Sequence, residues 1–158
     1  MRRREMLKTT LASGMAIAWS GRIALAEEYF PVQVDKKLFE GINRVKDLNN
    51  ETHLEQLHLP VITAPEKVKA GEPFDVEIVV GKTIHPMGPD HWIEHLQLNI
   101  GNEPAGTVTF RSQGWAQPTA RFRVKLGDEL KGKKVSLLVF DRCNLHGLWE
   151  HYVNVQVL

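Results

Sequence analysis

Apolar and polar residues alternate in short runs from residue 59 to the end of the chain. A period of two is typical of β-strands that bury one face. The run FDVEIVVG at 74–81 shows it most clearly, and residues 91–100 repeat it with Trp92, Leu96 and Leu98 expected on one face. The predicted strands cover residues 61–63, 67–73 (a strand that continues into a turn), 74–81, 91–100, 107–110, 119–124, 134–140 and 151–158.

About seven short strands separated by turns predict an all-β domain, an antiparallel β-sandwich, over residues 58–158. The two facing sheets of such a fold bury the inward side chains of each strand, and we expect Trp and Phe to form the core. The chain has 158 residues, of which 42% are hydrophobic and 25% charged. These values fit one globular domain with a leader.

Residues 27–57 form a polar lead-in to this domain. Its apolar residues recur near helical spacing, from Val34 through Leu38 to Val45, and predict a short amphipathic helix that contains Gly41. The segment 47–52 is rich in Asn and Asp and predicts a turn.

Residues 1–26 have the composition of an export signal. Arg3 and Arg4 open it, a moderately apolar run follows over 9–19, and Ala24 and Ala26 place small residues at alternate positions. The arginine pair resembles the twin-arginine export signal. The apolar run is too short and too interrupted for the alternative, a membrane anchor, which needs about 20 apolar residues. We therefore expect a cleaved signal and a location in the periplasm or cell envelope.

The formal charge is unevenly distributed along the chain. Residues 1–26 hold five of the 20 Lys and Arg and one of the 19 Asp and Glu, so the remainder has a net charge of −3 against +1 for the whole. A mildly acidic domain without a basic stripe lacks the electrostatic footprint of a nucleic-acid-binding protein. We therefore exclude nucleic-acid partners.

The residues best suited to chemistry are one cysteine and four histidines. Cys143 is the only thiol of the chain, so it cannot form an intrachain disulfide, and His146 follows it at a spacing that suits a tight turn. His85 and His91 flank the turn-rich loop PMGPD, and His58 precedes the first predicted strand. Imidazole and thiolate are ligands suited to iron, zinc or copper.

We hypothesise that these five side chains converge on one metal ion, with iron as the working choice. Neighbouring side chains of a strand face opposite ways, so ligands come together most easily from loops and strand ends. Structural zinc usually takes four ligands with thiolates prominent, so four histidines and one thiolate are too many and too rich in nitrogen for it. Five ligands leave one position open on an octahedral ion, as a redox catalyst requires.

Two stretches resemble the iron-centre motifs of superoxide reductases, the neelaredoxin and desulfoferrodoxin group. They run from His85 to Ile93 and over CNLHGLWE at 143–150. The lead-in LFEGINRVKD at 38–47 and the stretch 58–74 also resemble the single-iron members, so the likeness covers about residues 37–158. The four-cysteine iron site of desulfoferrodoxins has no counterpart, because the chain has one cysteine.

The resemblance implies an immunoglobulin-like β-sandwich and a square-pyramidal mononuclear non-haem iron centre. Such a centre would bind superoxide at the open site opposite the cysteine and reduce it by one electron to hydrogen peroxide. A rubredoxin- or cytochrome-like donor would then restore the ferrous state. Single-iron relatives often form homotetramers, so a homo-oligomer is expected. The implied metal ligands are His58, His85, His91 and His146 in the equatorial plane, with Cys143 axial.

The chain departs from the family pattern just before the first histidine. In the family a Glu-Lys-His triplet supplies that histidine; the lysine attracts superoxide, and the glutamate occupies the sixth position in the oxidised state. Here these positions hold Gln56 and Leu57, and Glu55 is the candidate substitute for the glutamate. We therefore assign Cys143 and Glu55 as catalytic residues. Leu57 supplies no positive field to steer an anion, so we expect slower superoxide capture.

The departure leaves a second function class open, a non-catalytic iron-binding or electron-transfer protein on the same scaffold. A structural zinc site is the third alternative. The remaining histidines match no ligand of the family. We expect His53 in a surface loop and His95 in solvent. His151 is expected to be structural, with a hydrogen bond to the ligand turn as its alternative role.

Overall fold

The computed structural model describes residues 34–158, so the predicted signal peptide at 1–26 lies outside the described part. From residue 34 onward, the lead-in begins with a 3₁₀ turn at Lys36–Phe39, and a two-residue strand, β1, follows at Ile42–Asn43. The prediction of an amphipathic helix through Gly41 is wrong, because the backbone of β1 is extended and pairs with Leu148 and Trp149. The turn predicted at 47–52 is confirmed by the hydrogen bond from the Asn50 amide to the Asp47 carbonyl.

The described part of the chain contains nine strands in two sheets, and seven of them have four or more residues, in agreement with the prediction. After β1, they are β2 Pro60–Thr63, β3 Lys67–Val68, β4 Pro73–Val80, β5 Ile93–Ile100, β6 Glu103–Thr109, β7 Thr119–Lys125, β8 Lys134–Cys143 and β9 Gly147–Val157. The larger sheet has the order β1-β9-β8-β5-β6, with β3 also pairing with β9, and the smaller sheet has the order β2-β4-β7. The pairs are antiparallel except for β1 and β3, which run parallel to β9.

The two sheets bury their facing sides in one hydrophobic core, as expected of a β-sandwich. The prediction that Trp and Phe form this core holds only for Phe74 and Phe110. The core is mainly aliphatic, with Phe74 and Phe110 as its aromatic members, while Trp115 is 92% exposed. Buried indole N–H groups need a hydrogen-bond partner, and an aliphatic core offers none. The fully buried aliphatic residues include Val76, Ile78, Val80, Ile93, Leu96, Leu98, Leu137 and Val139.

An irregularity at the start of β5 changes which side chains face inward. The register with β8 shifts between Ile93 and His95, so both Ile93 and Leu96 are fully buried. Such a bulge places one extra residue between two inward positions. The prediction that Trp92 shares the face of Leu96 is therefore wrong, and Ile93 pairs with Cys143 at the end of the sheet.

The described residues contain one α-helix, α1, which spans His53–His58. It was not predicted, although its capping box is visible in the sequence. The Thr52 side chain accepts a hydrogen bond from the Glu55 amide, and the Glu55 side chain accepts one from the Thr52 amide. Within residues 34–158, no helix is both long and apolar enough to cross a membrane.

Candidate metal centre

Five side chains that are far apart in the sequence meet at one end of the larger sheet. One ligand atom from each lies within 4.8 Å of the ligand atoms of all the others. Three of the side chains are buried and two are half-buried. The structure thus brings together the five predicted ligands His58, His85, His91, Cys143 and His146.

Different elements supply these side chains. His58 is the last residue of α1, and Cys143 is the last residue of β8. His146 lies in the turn between β8 and β9, whereas His85 and His91 stand in the loop between β4 and β5. Loops and strand ends therefore supply four of the five ligands, as expected, and a helix end supplies the other.

Two of the rings are oriented by hydrogen bonds to backbone carbonyl groups. Nδ1 of His58 donates to the Leu54 oxygen at 2.7 Å, and Nδ1 of His85 donates to the Pro86 oxygen at 2.6 Å. A neutral imidazole that donates from Nδ1 has an unprotonated Nε2. Both rings therefore direct an Nε2 lone pair toward the centre of the group.

The spacing of the donor atoms fits a bound cation. His58 Nε2 lies 3.2 Å from His85 Nε2 and 3.1 Å from His146 Nδ1. Metal–nitrogen bonds of about 2.1 Å at right angles would place two nitrogens about 3.0 Å apart. The lone pairs of His58 and His85 repel each other unless a cation lies between them. The Cys143 sulfur completes the set, 3.2 Å from His91 Nε2 and 3.5 Å from His146 Nδ1.

Burial keeps the histidine rings neutral and available for coordination. Desolvation, with a smaller contribution from the nearby imidazoles, lowers the pKa of His58 to about 4 and that of His85 to about 3. Desolvation also lowers the pKa of His91 and of His146. A neutral ring offers a lone pair to a metal without first losing a proton.

Burial shifts the pKa of the Cys143 thiol in the opposite direction from the histidines, upward rather than downward. Burial raises its pKa to about 11, although the backbone N–H groups of Leu145 and His146 donate hydrogen bonds to the sulfur and lower the pKa. Ionisation at neutral pH therefore requires a cation that replaces the proton. Four neutral nitrogens and one sulfur of this kind form a donor set that fits iron.

A buried carboxyl group accompanies the sulfur. Asp141 lies two residues before Cys143 on the inward face of β8 and is fully buried. Neither of its oxygens has a hydrogen-bond partner within the described residues. Burial raises the pKa of Asp141 well above its usual value, because desolvation disfavours the charged carboxylate. The alternation of buried and exposed positions along β8 is the sequence signal that would have placed it on the buried face.

The lead-in supports the turn that carries His146. This contact was not predicted from the sequence. The Asn43 side-chain amide donates to the Leu38 oxygen at 2.8 Å and to the Leu148 oxygen at 2.9 Å. Gly147, with φ of +75°, lies so close to the lead-in that a Cβ would stand 2.0 Å from the Leu38 oxygen. Such a close approach between distant backbones leaves no local sequence signal beyond the glycine itself.

Glu55, the other residue predicted to be catalytic, lies outside the group of five. Its carboxylate accepts hydrogen bonds from the Lys46 amide at 3.1 Å and from the Thr52 amide and hydroxyl at 2.8 Å each. The bonds from Thr52 are the main reason that its pKa is lowered. The structure gives this side chain a place in the helix cap, and its assignment to catalysis stays a prediction.

The three remaining histidines are not part of the group. His53 is exposed as predicted, but it begins α1 rather than lying in a loop. His95 is half-buried on β5 rather than solvated, and burial lowers its pKa. His151 is half-buried on β9, and burial lowers its pKa as well, whereas the charge of Glu51 raises it.

Comparison with known proteins agrees with this site. The desulfoferrodoxin family model matches residues 50–152. A relative from Methanocaldococcus jannaschii is 35% identical over 111 residues, which cover 70% of this chain and 90% of the relative. A superoxide reductase from Pyrococcus abyssi is 36% identical over 108 residues, covering 63% of this chain and 87% of that one.

A solved structure shows the same arrangement of the chain. The superoxide reductase (neelaredoxin) from Ignicoccus hospitalis aligns with a TM-score of 0.63 and 33% identity, covering 80% of this chain and 100% of that one. The chain therefore belongs to the desulfoferrodoxin family.

Proposed function

We propose that this desulfoferrodoxin-family protein is a superoxide reductase. The observation that carries the proposal is the convergence of four imidazoles and one thiol on a single point. This chain aligns with most of the length of relatives that are named superoxide reductases. The reaction consumes one superoxide ion, one electron and two protons, and yields hydrogen peroxide.

The four histidines and Cys143 would hold one iron ion, which would supply the electron by changing from its ferrous to its ferric state. Five protein ligands would leave one coordination position for the substrate. The thiolate of Cys143 would increase the electron density at the metal, and the N–H groups of Leu145 and His146 that donate hydrogen bonds to its sulfur would adjust that effect. Buried His58 and His85 close one side, so superoxide enters from the side of half-buried His91 and His146.

Rapid mixing of the ferrous protein with superoxide tests this function. We expect stoichiometric oxidation of the centre and formation of hydrogen peroxide without dioxygen. The ends of α1 provide a matched pair of variants: His58→Ala abolishes the reaction, whereas His53→Ala leaves it unchanged. A ferrous centre that superoxide does not oxidise, but that exchanges electrons with a redox protein, would instead establish the electron-transfer alternative.

Two further properties belong to the same proposal. A rubredoxin- or cytochrome-like protein returns the iron to the ferrous state, since the described chain offers no second redox group. The protein forms homo-oligomers, which the exposed apolar side chains of Ile42, Leu48 and Tyr152 support. Reduction of the ferric protein by purified rubredoxin and by cytochrome tests the first property, and sedimentation analysis tests the second.

Export is the last component of the proposal. Residues 1–26 act as a twin-arginine-type signal that is removed after the folded chain reaches the periplasm or cell envelope. The arginine pair at Arg3 and Arg4 and the small residues Ala24 and Ala26 support this. Sequencing the N-terminus of the mature protein tests it. Cleavage after Ala26 is expected, and a mature chain that still begins at Met1 would refute it.

A further inference from the structure

His91 differs from the other histidines of the metal centre in how it is held. The rings of His58 and His85 are each fixed by an Nδ1–H bond to a backbone carbonyl. The carbonyl of His146 accepts a hydrogen bond from the Trp149 indole at 2.9 Å, which fixes its turn. In the described part of the chain, the polar contact of the His91 ring is with the Cys143 sulfur instead.

The loop that carries His91 closes mainly on itself. The amide of Gly88 donates to the His91 carbonyl at 2.9 Å, so the loop forms its own turn. The first strand pair between this segment and the strand end that carries Cys143 is Ile93 with Cys143, two residues beyond His91. Between the Gly88–His91 turn and that pair, the position of His91 relative to the sulfur depends on contacts with the turn after β8.

Asn144 makes those contacts on both sides of His91. Its side-chain Nδ2 donates to the Asp90 carbonyl at 2.9 Å, and its Oδ1 accepts from the Trp92 amide at 2.9 Å. Its own backbone amide donates to the Trp92 carbonyl at 3.1 Å. One carboxamide thus bridges the two peptide groups that flank His91, directly beside Cys143.

We propose that Asn144 is a positioning residue that holds His91 on the metal by tying the residues on either side of it to the Cys143 turn. An exposed asparagine in a turn would make its hydrogen bonds to water or to its own turn. Asn144 instead uses both ends of its amide on residues 52 and 54 positions away. The inference rests on the iron site of the proposed function.

Iron affinity in competition with a chelator tests the proposal, with the thiolate-to-iron absorption band of the ferric protein as a second readout. Asn144→Ala removes both side-chain bonds and should weaken iron binding about 10- to 100-fold, which is typical when a group that orients a ligand is lost. The absorption band should shift as it does in His91→Ala. Asn154→Ala, at an exposed position of β9, is the matched control and should change neither readout.

A double-variant cycle shows whether Asn144 acts through His91. In a His91→Ala background, Asn144→Ala should change iron affinity by less than about twofold, because the ligand it positions is gone. An equal loss in both backgrounds would overturn the proposal, and so would parent-like affinity and absorption in the single variant. Circular dichroism of the iron-free proteins establishes that each variant is folded.

Asn144→Asp keeps the test decisive if the alanine variant does not fold. Aspartate retains the acceptor for the Trp92 amide but loses the donor to the Asp90 carbonyl. Iron affinity between those of the parent and His91→Ala supports the proposal, and parent-like affinity with an unshifted band refutes it. If the parent chain binds no iron, the proposed function itself is overturned. If the parent binds iron and the variant binds it equally well, only the proposal for Asn144 is overturned.

Discussion

The imidazole of His58 is stacked on the indole of Trp149, with ring centroids 5.0 Å apart and 20° between the ring planes. The same indole donates its N–H to the His146 carbonyl at 2.9 Å. Trp149 is 3% exposed and comes from β9, whereas His58 comes from α1. One buried side chain therefore supports two of the candidate ligands, by ring contact with one and by a hydrogen bond to the backbone of the other.

Trp149→Phe separates these two contacts. Phenylalanine keeps an aromatic face for His58 but cannot donate to the His146 carbonyl. Loss of the hydrogen bond should lower the free energy of unfolding of the iron-free protein by about 1 kcal/mol. Urea denaturation measures the change. Trp115→Phe is the control, because at 92% exposure its change should stay within about 0.5 kcal/mol; equal effects of the two substitutions would contradict this view of Trp149.

Leu57→Lys should accelerate superoxide capture. Leu57 is half-buried in α1 next to His58, where the family has a lysine. A positive charge there would attract the anion, so the substitution should raise the second-order rate constant. Added salt screens that charge and should lower the rate constant again. Stopped-flow kinetics at several ionic strengths measure both effects. Leu158→Lys adds the same charge at the far end of β9 and should leave the rate unchanged; a rate unaffected by Leu57→Lys would show that steering does not limit capture.

Glu55→Gln should reduce the acid sensitivity of folding, and its effect on the reaction with superoxide tests the assignment of Glu55 to catalysis. Hydrogen bonds from Thr52 lower the pKa of Glu55 from its usual value of 4.5. The carboxylate therefore contributes stability above pH 4.5 that is lost as the pH falls through the lowered pKa. Thermal unfolding from pH 7 to 3 measures this, with exposed Glu66→Gln as the control. A slower reaction at unchanged stability would instead support the sequence-based assignment of Glu55 to catalysis.

Iron binding at pH 8 should release about one proton per ion. The pKa of Cys143 is raised to about 11, so the iron-free thiol is protonated, whereas the lowered pKa values of His58 and His85 leave no proton to lose. Titration calorimetry in two buffers with different ionisation enthalpies gives the proton count. Cys143→Ser should bind iron more weakly and release none. Binding to the parent without proton release would show that the sulfur does not ionise on coordination.

Much of the fold followed from local sequence patterns. The alternation over 74–81 gave β4 to within a residue at each end, because a half-buried strand repeats every two residues whatever its partner is. The types of the ligands were equally visible in the sequence, since Cys143 is its one cysteine and His146 follows three residues later. The helix end that carries His58 could also have been read, from Thr52 and Glu55.

Local patterns failed where a residue acts on a distant part of the chain. Ile42 and Asn43 looked helical but form a strand, because Leu148 and Trp149 offer them backbone partners. Trp92 was expected inside, but the register shift against β8 gave that place to Ile93. In each case a contact with a distant segment outweighed the local preference.

The sequence by itself determined most of the strands, the two-sheet class and the chemical character of the five donors, because alternation and side-chain chemistry are properties of the residues themselves. Only the tertiary structure decided that Asn144 bridges Asp90 and Trp92 and that Glu55 serves a helix cap. The physical reason is that hydrogen bonds between residues some 50 positions apart exist only after the sheets have closed and fixed where each loop ends.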